Sequence, residues 1–359
     1  MEHVPYTRAD FDHSPLMFYY EVTRACDLVC LHCRAEAMNC AAPNELKHAD
    51  SLRLIDQVAS FTRKPNLVLT GGDPLKRADI FELIAHATSR GVPVALTPSA
   101  TPLATRAAFA RARDAGVQRL GISLDGADAA THDSFRGWDG SFARTLQMLA
   151  DARELGMSVQ LNTSVTRRNV HQIDAMAELL ADQGIAMWSV FFLVPVGRGM
   201  GQERIKPEEY EVVFEKLWRH ANSKPYAVKT TEAPHYRRYV MQQGGNPLAH
   251  RNAHSDGHAA RAPLGVGDGR GIMFVSNIGE IYPAGFLPLL CGTFPKDSVV
   301  EAYQKHPTFV SLRNPDGFKG KCGICEFRQV CGGSRSRAYG VSGDPLGEEP
   351  DCVYVPATA

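Results

Sequence analysis

Between about residue 15 and residue 225, short apolar runs and amphipathic stretches alternate in regular order. The runs Phe18–Val22, Asn66–Leu69, Val94–Thr97, Arg119–Leu124, Ser158–Ser164 and Met187–Val194 have strand length and composition. Between them, Ala49–Phe61, Asp79–Ser89, Thr101–Asp114, Ser141–Leu155 and Val170–Gln183 carry helical periodicity. Gly91, Gly116, Gly156 and Gly184 each follow a helix and precede a strand, where a left-handed helix cap belongs. Strands joined by helices pair in parallel, and right-handed crossovers lay the helices outside a sheet that curls toward a barrel. The expected fold is therefore α/β, a partial (β/α)6 TIM-like barrel over residues 1–225, with its site on the loops after the strands.

Residues 226–271 read as an irregular connecting segment, with loops at Gln242–Pro247 and Gly265–Gly271. From Ile272 a hairpin is expected, Ile272–Ser276 with Glu280–Tyr282 closed at Asn277-Ile278-Gly279, opening a small cysteine-rich module over residues 272–359. The 39 basic and 39 acidic residues cancel, so no basic field argues for nucleic acid. The amino terminus lacks a signal-peptide apolar region, and the longest apolar stretch, Met187–Val196, is too short to span a bilayer. A cytoplasmic protein without a membrane partner is the expectation.

In a reducing compartment nine cysteines read as metal ligands or thiols rather than as disulfides. Cys26, Cys30 and Cys33 form C-x3-C-x2-C straight after the first strand. A four-iron cube has four corners, so three thiolates leave one iron for a ligand that is not protein, and such an open site is reactive. A zinc site completed by His32 or Cys40, or buried thiols, is the alternative at this stage. Near the other end Cys322, Cys325 and Cys331 form C-x2-C-x5-C, and Cys352 follows, enough to close a metal site as a cluster or as tetrathiolate zinc. Cys40 and Cys291 read as thiols outside both groups.

The strand ends add polar groups. Strand two ends in Gly71-Gly72-Asp73-Pro74, a turn whose backbone can approach an ammonium group and whose Asp73 adds negative charge. Strand four closes with Ser123-Leu124-Asp125-Gly126, followed by Arg136; strand five offers Asn162; strand six ends in Leu193-Val194-Pro195-Val196-Gly197-Arg198-Gly199.

The cysteine triad and the strand-two turn resemble the signatures of the radical S-adenosylmethionine (SAM) superfamily, with His32 where an aromatic residue often stands and Asp73 where the usual turn has Glu. The text Gly332-Gly333-Ser334-Arg335-Ser336-Arg337-Ala338 resembles the SPASM/twitch extension of that superfamily. The resemblance implies two 4Fe–4S clusters, one on Cys26, Cys30 and Cys33 as the catalytic centre and an auxiliary one on Cys322, Cys325, Cys331 and Cys352. It implies SAM contacts at Gly71, Gly72, Asp73, Ser123, Arg136, Asn162, Leu193 and Val194, and a flavodoxin- or ferredoxin-type electron donor. The activity implied is reductive cleavage of SAM followed by abstraction of a substrate hydrogen. Ala284 stands where full SPASM domains often have cysteine, which argues against a second auxiliary cluster.

The runs Tyr20–Cys26, His32–Ala37, Phe191–Gly199 and Cys331–Ala338 resemble the branch of haem d1 synthesis and of the alternative haem pathway, whose enzymes modify tetrapyrrole carboxylate side chains, and the resemblance covers nearly the whole chain except about residues 225–270. A tetrapyrrole substrate makes Arg198, Arg237, Arg238, Arg335 and Arg337 candidate carboxylate clamps, and His235, His254 and His258 candidate iron ligands. The alternatives are a SPASM peptide maturase acting on a ribosomal peptide and, from another class, a non-catalytic zinc-binding protein.

Overall fold

The structure is a computed structural model and describes residues 6–201, 203–247 and 265–357. Its nine strands are β1 Met17–Glu21, β2 Asn66–Thr70, β3 Val94–Leu96, β4 Val117–Ser123, β5 Ser158–Val165, β6 Met187–Phe192, β7 Ala227–Thr231, β8 Ile272–Val275 and β9 Ile281–Tyr282. They form one sheet in the order β7-β6-β5-β4-β3-β2-β1-β8-β9, and every pair is parallel except β8 with β9. The helices that flank and link the strands are α1 His48–Ala59, α2 Ile80–Ser89, α3 Arg106–Ala115, α4 Ala129–Arg136, α5 Ser141–Glu154, α6 Ile173–Ala181, α7 Pro207–Ser223 and α8 His235–Gln242. After β9 come α9 Val299–Lys305, α10 Pro307–Leu312, α11 Gly320–Ile324 and α12 Arg335–Ser342. No described helix is long and apolar enough to cross a membrane.

The α/β partial barrel expected from the alternation is present, and the capping glycines Gly91, Gly116, Gly156 and Gly184 all have positive φ. Strand residues pointing outward are buried against helices: Val159, Leu161 and Val165 of β5, Leu67 and Leu69 of β2, Trp188 and Val190 of β6. The inward set of β5 is instead Ser158, Gln160, Asn162 and Ser164. Parallel strands covered on both faces read as continuous apolar runs; strands enclosing a polar cavity alternate with period two, as here.

Two features correct the sequence reading. Residues 226–271, irregular by composition, contain β7, paired in register with β6, and α8. Pro225 and Pro234 bracket Ala-Val-Lys-Thr-Thr too closely for composition to reveal a strand, and pairing with β6 supplies what propensity does not. The C-terminal hairpin forms at the expected turn, but β8 also lies parallel to β1, with Met17 opposite Ile272. The hairpin thus extends the barrel sheet, and Ile272 and Phe274 face the barrel cavity.

Candidate active site

The cysteine loop leaves β1 and is tied down by backbone bonds at both ends. Cys26 N donates to Met38 O at 2.6 Å, and Met38 N to Arg24 O at 3.0 Å. The Gly71-Gly72-Asp73 turn docks on the same segment, Gly72 N on Thr23 O at 2.9 Å and Asp73 N on Ala25 O at 2.7 Å. A methyl at Gly72 would collide with the carbonyl oxygens of Arg24 and Ala25, so only glycine allows this approach. Gly72→Ala is accordingly expected to displace the turn and raise the KM for SAM about 10- to 100-fold, as small misplacements of binding groups do, while iron content stays unchanged.

The strand-six loop closes the other side. Gly197, with φ 53°, packs on the carbonyls of Cys33 and Arg34. Arg198 donates Nε to Cys30 O at 2.9 Å and Nη1 to Ala37 O at 3.2 Å. Arg198 is therefore a brace for the cysteine loop, not a free clamp.

A cavity of about 860 Å³ runs through the barrel interior. Cys26, Cys30 and Cys33 line it together with Gly71, Gly72, Ser123, Arg136, Asn162, Leu193 and Val194. Asp73 does not. Its buried carboxylate accepts from Leu75 N at 3.1 Å and Thr101 Oγ1 at 2.6 Å, and burial raises its pKa. Asp73 thus shapes the turn and presents no charge to the cavity. Arg136 is paired with the fully buried Asp125 at 2.5 Å and reaches Cys30 Sγ at 3.7 Å. His32 stacks on Phe135, centroids 4.3 Å apart, and burial pushes its imidazole down to about 4, so the ring is neutral.

The donor set of the triad suits a thiolate-held cluster. Leu28 N points at Cys26 Sγ (3.4 Å) and Ala37 N at Cys33 Sγ (3.5 Å), with Arg136 on Cys30, so each sulfur has a donor appropriate to a thiolate. Burial raises the Cys26 and Cys30 thiols, and a bound metal cluster is what would displace their protons. Ser99, missed in the sequence, sits beside Cys26 and hydrogen-bonds Gly72 O at 2.8 Å, bridging the triad to the turn.

The second group also converges. Cys322, Cys325, Cys331 and Cys352 line one small pocket with His235 and Arg238. Glu349 N donates to Cys322 Sγ at 3.2 Å and Gly333 N to Cys331 Sγ at 3.4 Å. Both ring nitrogens of buried His235 lack partners there, and a group of sulfide acceptors between the thiols would supply one. His235 is the described member of the three candidate iron ligands, and it faces the cysteines rather than the barrel cavity; His254 and His258 lie outside the described residues. Cys291 is buried in the main core with its thiol on Leu289 O, and Cys40 is exposed.

Most proposed clamps are already engaged. Arg238 pairs with Glu211, Arg335 donates to Pro345 O and Gly347 O, and Arg337 is held by Glu349 and Asp351. Arg237 alone of the five lines the barrel cavity.

The sequence profile described as the radical SAM superfamily matches residues 20–180. An AdoMet-dependent heme synthase of Methanosarcina barkeri is 39% identical over 96% of this chain and 98% of its own length. One of Nitratidesulfovibrio vulgaris is 38% identical over 99% and 96%. Among solved structures, Streptococcus suis SuiB bound to S-adenosylmethionine aligns with TM-score 0.73 at 15% identity, covering 95% of this chain and 78% of that one. A cysteine triad, a glycine turn and a strand-six loop meeting at one barrel mouth, with these full-length relatives, place the chain in the radical SAM superfamily.

Proposed function

We propose that this chain is a radical SAM enzyme that modifies carboxylate side chains of a tetrapyrrole in haem-type biosynthesis. The observation carrying the reading is the full-length similarity to relatives named heme synthases, combined with a cavity that continues past the cysteine triad into the barrel. That volume lies within the range of small-molecule sites, and Phe191, Phe274 and Phe286 give it flat apolar walls.

When bound, the cluster and SAM supply one-electron chemistry able to remove hydrogen from an unactivated carbon. The chain's residues bind and orient. Cys26, Cys30 and Cys33 hold the first 4Fe–4S cluster. Carbonyls of the Gly71-Gly72 turn would receive the SAM ammonium, Ser123 and Asn162 would offer hydrogen bonds to its ribose and carboxylate, and Leu193 and Val194 would flank its adenine. Arg136, fixed by Asp125, holds positive charge beside Cys30, where it would complement the SAM carboxylate. Cys322, Cys325, Cys331 and Cys352 would hold the auxiliary 4Fe–4S cluster, which would supply a one-electron redox site. A flavodoxin- or ferredoxin-type protein supplies the first electron.

The test is anaerobic incubation of reconstituted protein with SAM, dithionite and iron porphyrins bearing carboxylate side chains. Formation of 5′-deoxyadenosine with a mass change in a porphyrin side chain is expected. Turnover on a peptide with no porphyrin change would replace the tetrapyrrole by the peptide reading, and a colourless zinc protein would end both. In the same assay Cys331→Ala should retain 5′-deoxyadenosine formation while modified porphyrin falls by at least about tenfold.

A further inference from the structure

The inner wall of the barrel carries three cations from separate elements. Arg119 stands near the foot of β4, Lys229 at the centre of β7 and Arg237 in the first turn of α8. All three line the cavity. Among the described residues no carboxylate lies within ion-pair distance of any of them. Arg119 gives Nε to Ser158 Oγ at 3.2 Å, and Arg237 gives its terminal nitrogens to Val330 O and Val266 O at 3.1 and 2.9 Å. The Lys229 ammonium has no hydrogen-bond partner among the described residues, and Lys229 lines the cavity.

These cations sense one another. Burial first, then Arg119 and Arg237, push the Lys229 ammonium down to about 8. Burial also lowers Arg119 and Arg237. Glu232 and Asp268 lie in the same wall but bond to each other and to Ser334 and Ser336, and burial lifts both carboxyls. They do not answer the positive charge. Enclosing like charges without a counter-ion is unfavourable, and the buried guanidiniums of Arg136 and Arg337 each have a carboxylate partner.

Depth matters as much as charge. Arg119 precedes Ser123 by two inward-facing positions, about 13 Å down the strand at the usual rise per residue. A ligand touching both the SAM end and the cations must be long, and anionic at the far end.

We propose that Arg119, Lys229 and Arg237 form an anion subsite inside the barrel that holds substrate carboxylates remote from the reacting carbon, and so selects which side chain faces SAM. The inference rests on the tetrapyrrole reading above and extends it to specificity.

The experiment titrates reconstituted protein anaerobically with an iron porphyrin bearing four propionates and with its tetramethyl ester, following the porphyrin absorption band. Wild type should bind the tetra-acid about tenfold or more tighter than the ester. Lys229→Met and Arg237→Gln should each weaken the acid about tenfold or more, leaving the ester unchanged. Lys229→Arg, which keeps the charge, should lose much less. Iron content serves as the fold control. If a variant loses iron, the acid-to-ester ratio in wild type and the Lys229→Arg result decide. Equal binding of acid and ester by wild type, or of the acid by wild type and both neutral variants, would overturn the subsite and leave the tetrapyrrole reading standing. Binding of neither porphyrin by wild type would overturn both.

Discussion

Replacing Cys26 with alanine is expected to give a folded protein that forms essentially no 5′-deoxyadenosine from SAM, a loss of at least about a thousandfold, or about 4 kcal/mol of barrier. Cys26 is buried at the exit of β1, where its sulfur accepts from Leu28 N and lies 3.6 Å from Ser99 Oγ. No other cysteine is placed to substitute. Cys40 is exposed and Cys291 lies in the main core. Two thiolates cannot hold a cube that also keeps one corner open for SAM, so iron should fall from about eight to about four per chain. Cys291→Ala is the matched control, since it removes a buried thiol that lines neither cysteine site, and it should retain both iron and nucleoside formation. A normal yield of 5′-deoxyadenosine from Cys26→Ala would remove the triad from the catalytic assignment.

The parts of this protein that could be read from its sequence are those whose cause is local. Six strands are legible to within two residues at either end because each has its own apolar run and most are preceded by a capping glycine. The triad was legible because its ligands occupy one short loop. Asp73 shows where locality fails. Its neighbours in sequence suggest a charge offered to a ligand, yet Ser99 and Thr101, from the loop after β3, turn the carboxylate inward. The cationic cluster shows the same limit from the other side. Arg119 and Lys229 are single polar residues on separate strands, and Arg237 lies on a helix in a segment that reads as irregular. Only the order β7-β6-β5-β4 brings their side chains to one cavity. The signal available was the polar member of each alternating strand, which on the concave side of a curled parallel sheet has nowhere to point except a solvated or ligand-filled interior.

Arg337 departs from its local sequence signal too, and it is the residue whose loss should cost most in stability. An arginine in a glycine-rich tail near cysteines looks like a clamp for an anionic ligand. In the fold it is 0% exposed and binds the chain to itself. Its Nε lies 2.8 Å from Glu349 Oε1 and 3.1 Å from Asp351 Oδ2, Nη1 reaches Leu193 O at 3.4 Å, and Nη2 meets Glu232 O. One guanidinium therefore joins the auxiliary cysteine module to the ends of β6 and β7, the same strand-six loop assigned to adenine. Burial alone would push the Glu349 carboxyl up, but Arg337 pulls it down to about 2, so the pair is fully ionised at neutral pH. Arg337→Leu would leave two buried carboxylates without that cation, at a cost of about 3–5 kcal/mol. Lysine brings three donors in place of five and cannot match the fork, so Arg337→Lys should recover only part of the loss. Because Glu349 N donates to Cys322 Sγ and its carboxylate accepts from Ser334 N, loosening Glu349 should release the auxiliary cluster first. The expected signature is a variant with about half the iron, faster proteolysis after residue 265, and 5′-deoxyadenosine formation that outlasts porphyrin modification. An Arg337→Leu protein with full iron and wild-type protease resistance would show that the two halves are held together elsewhere.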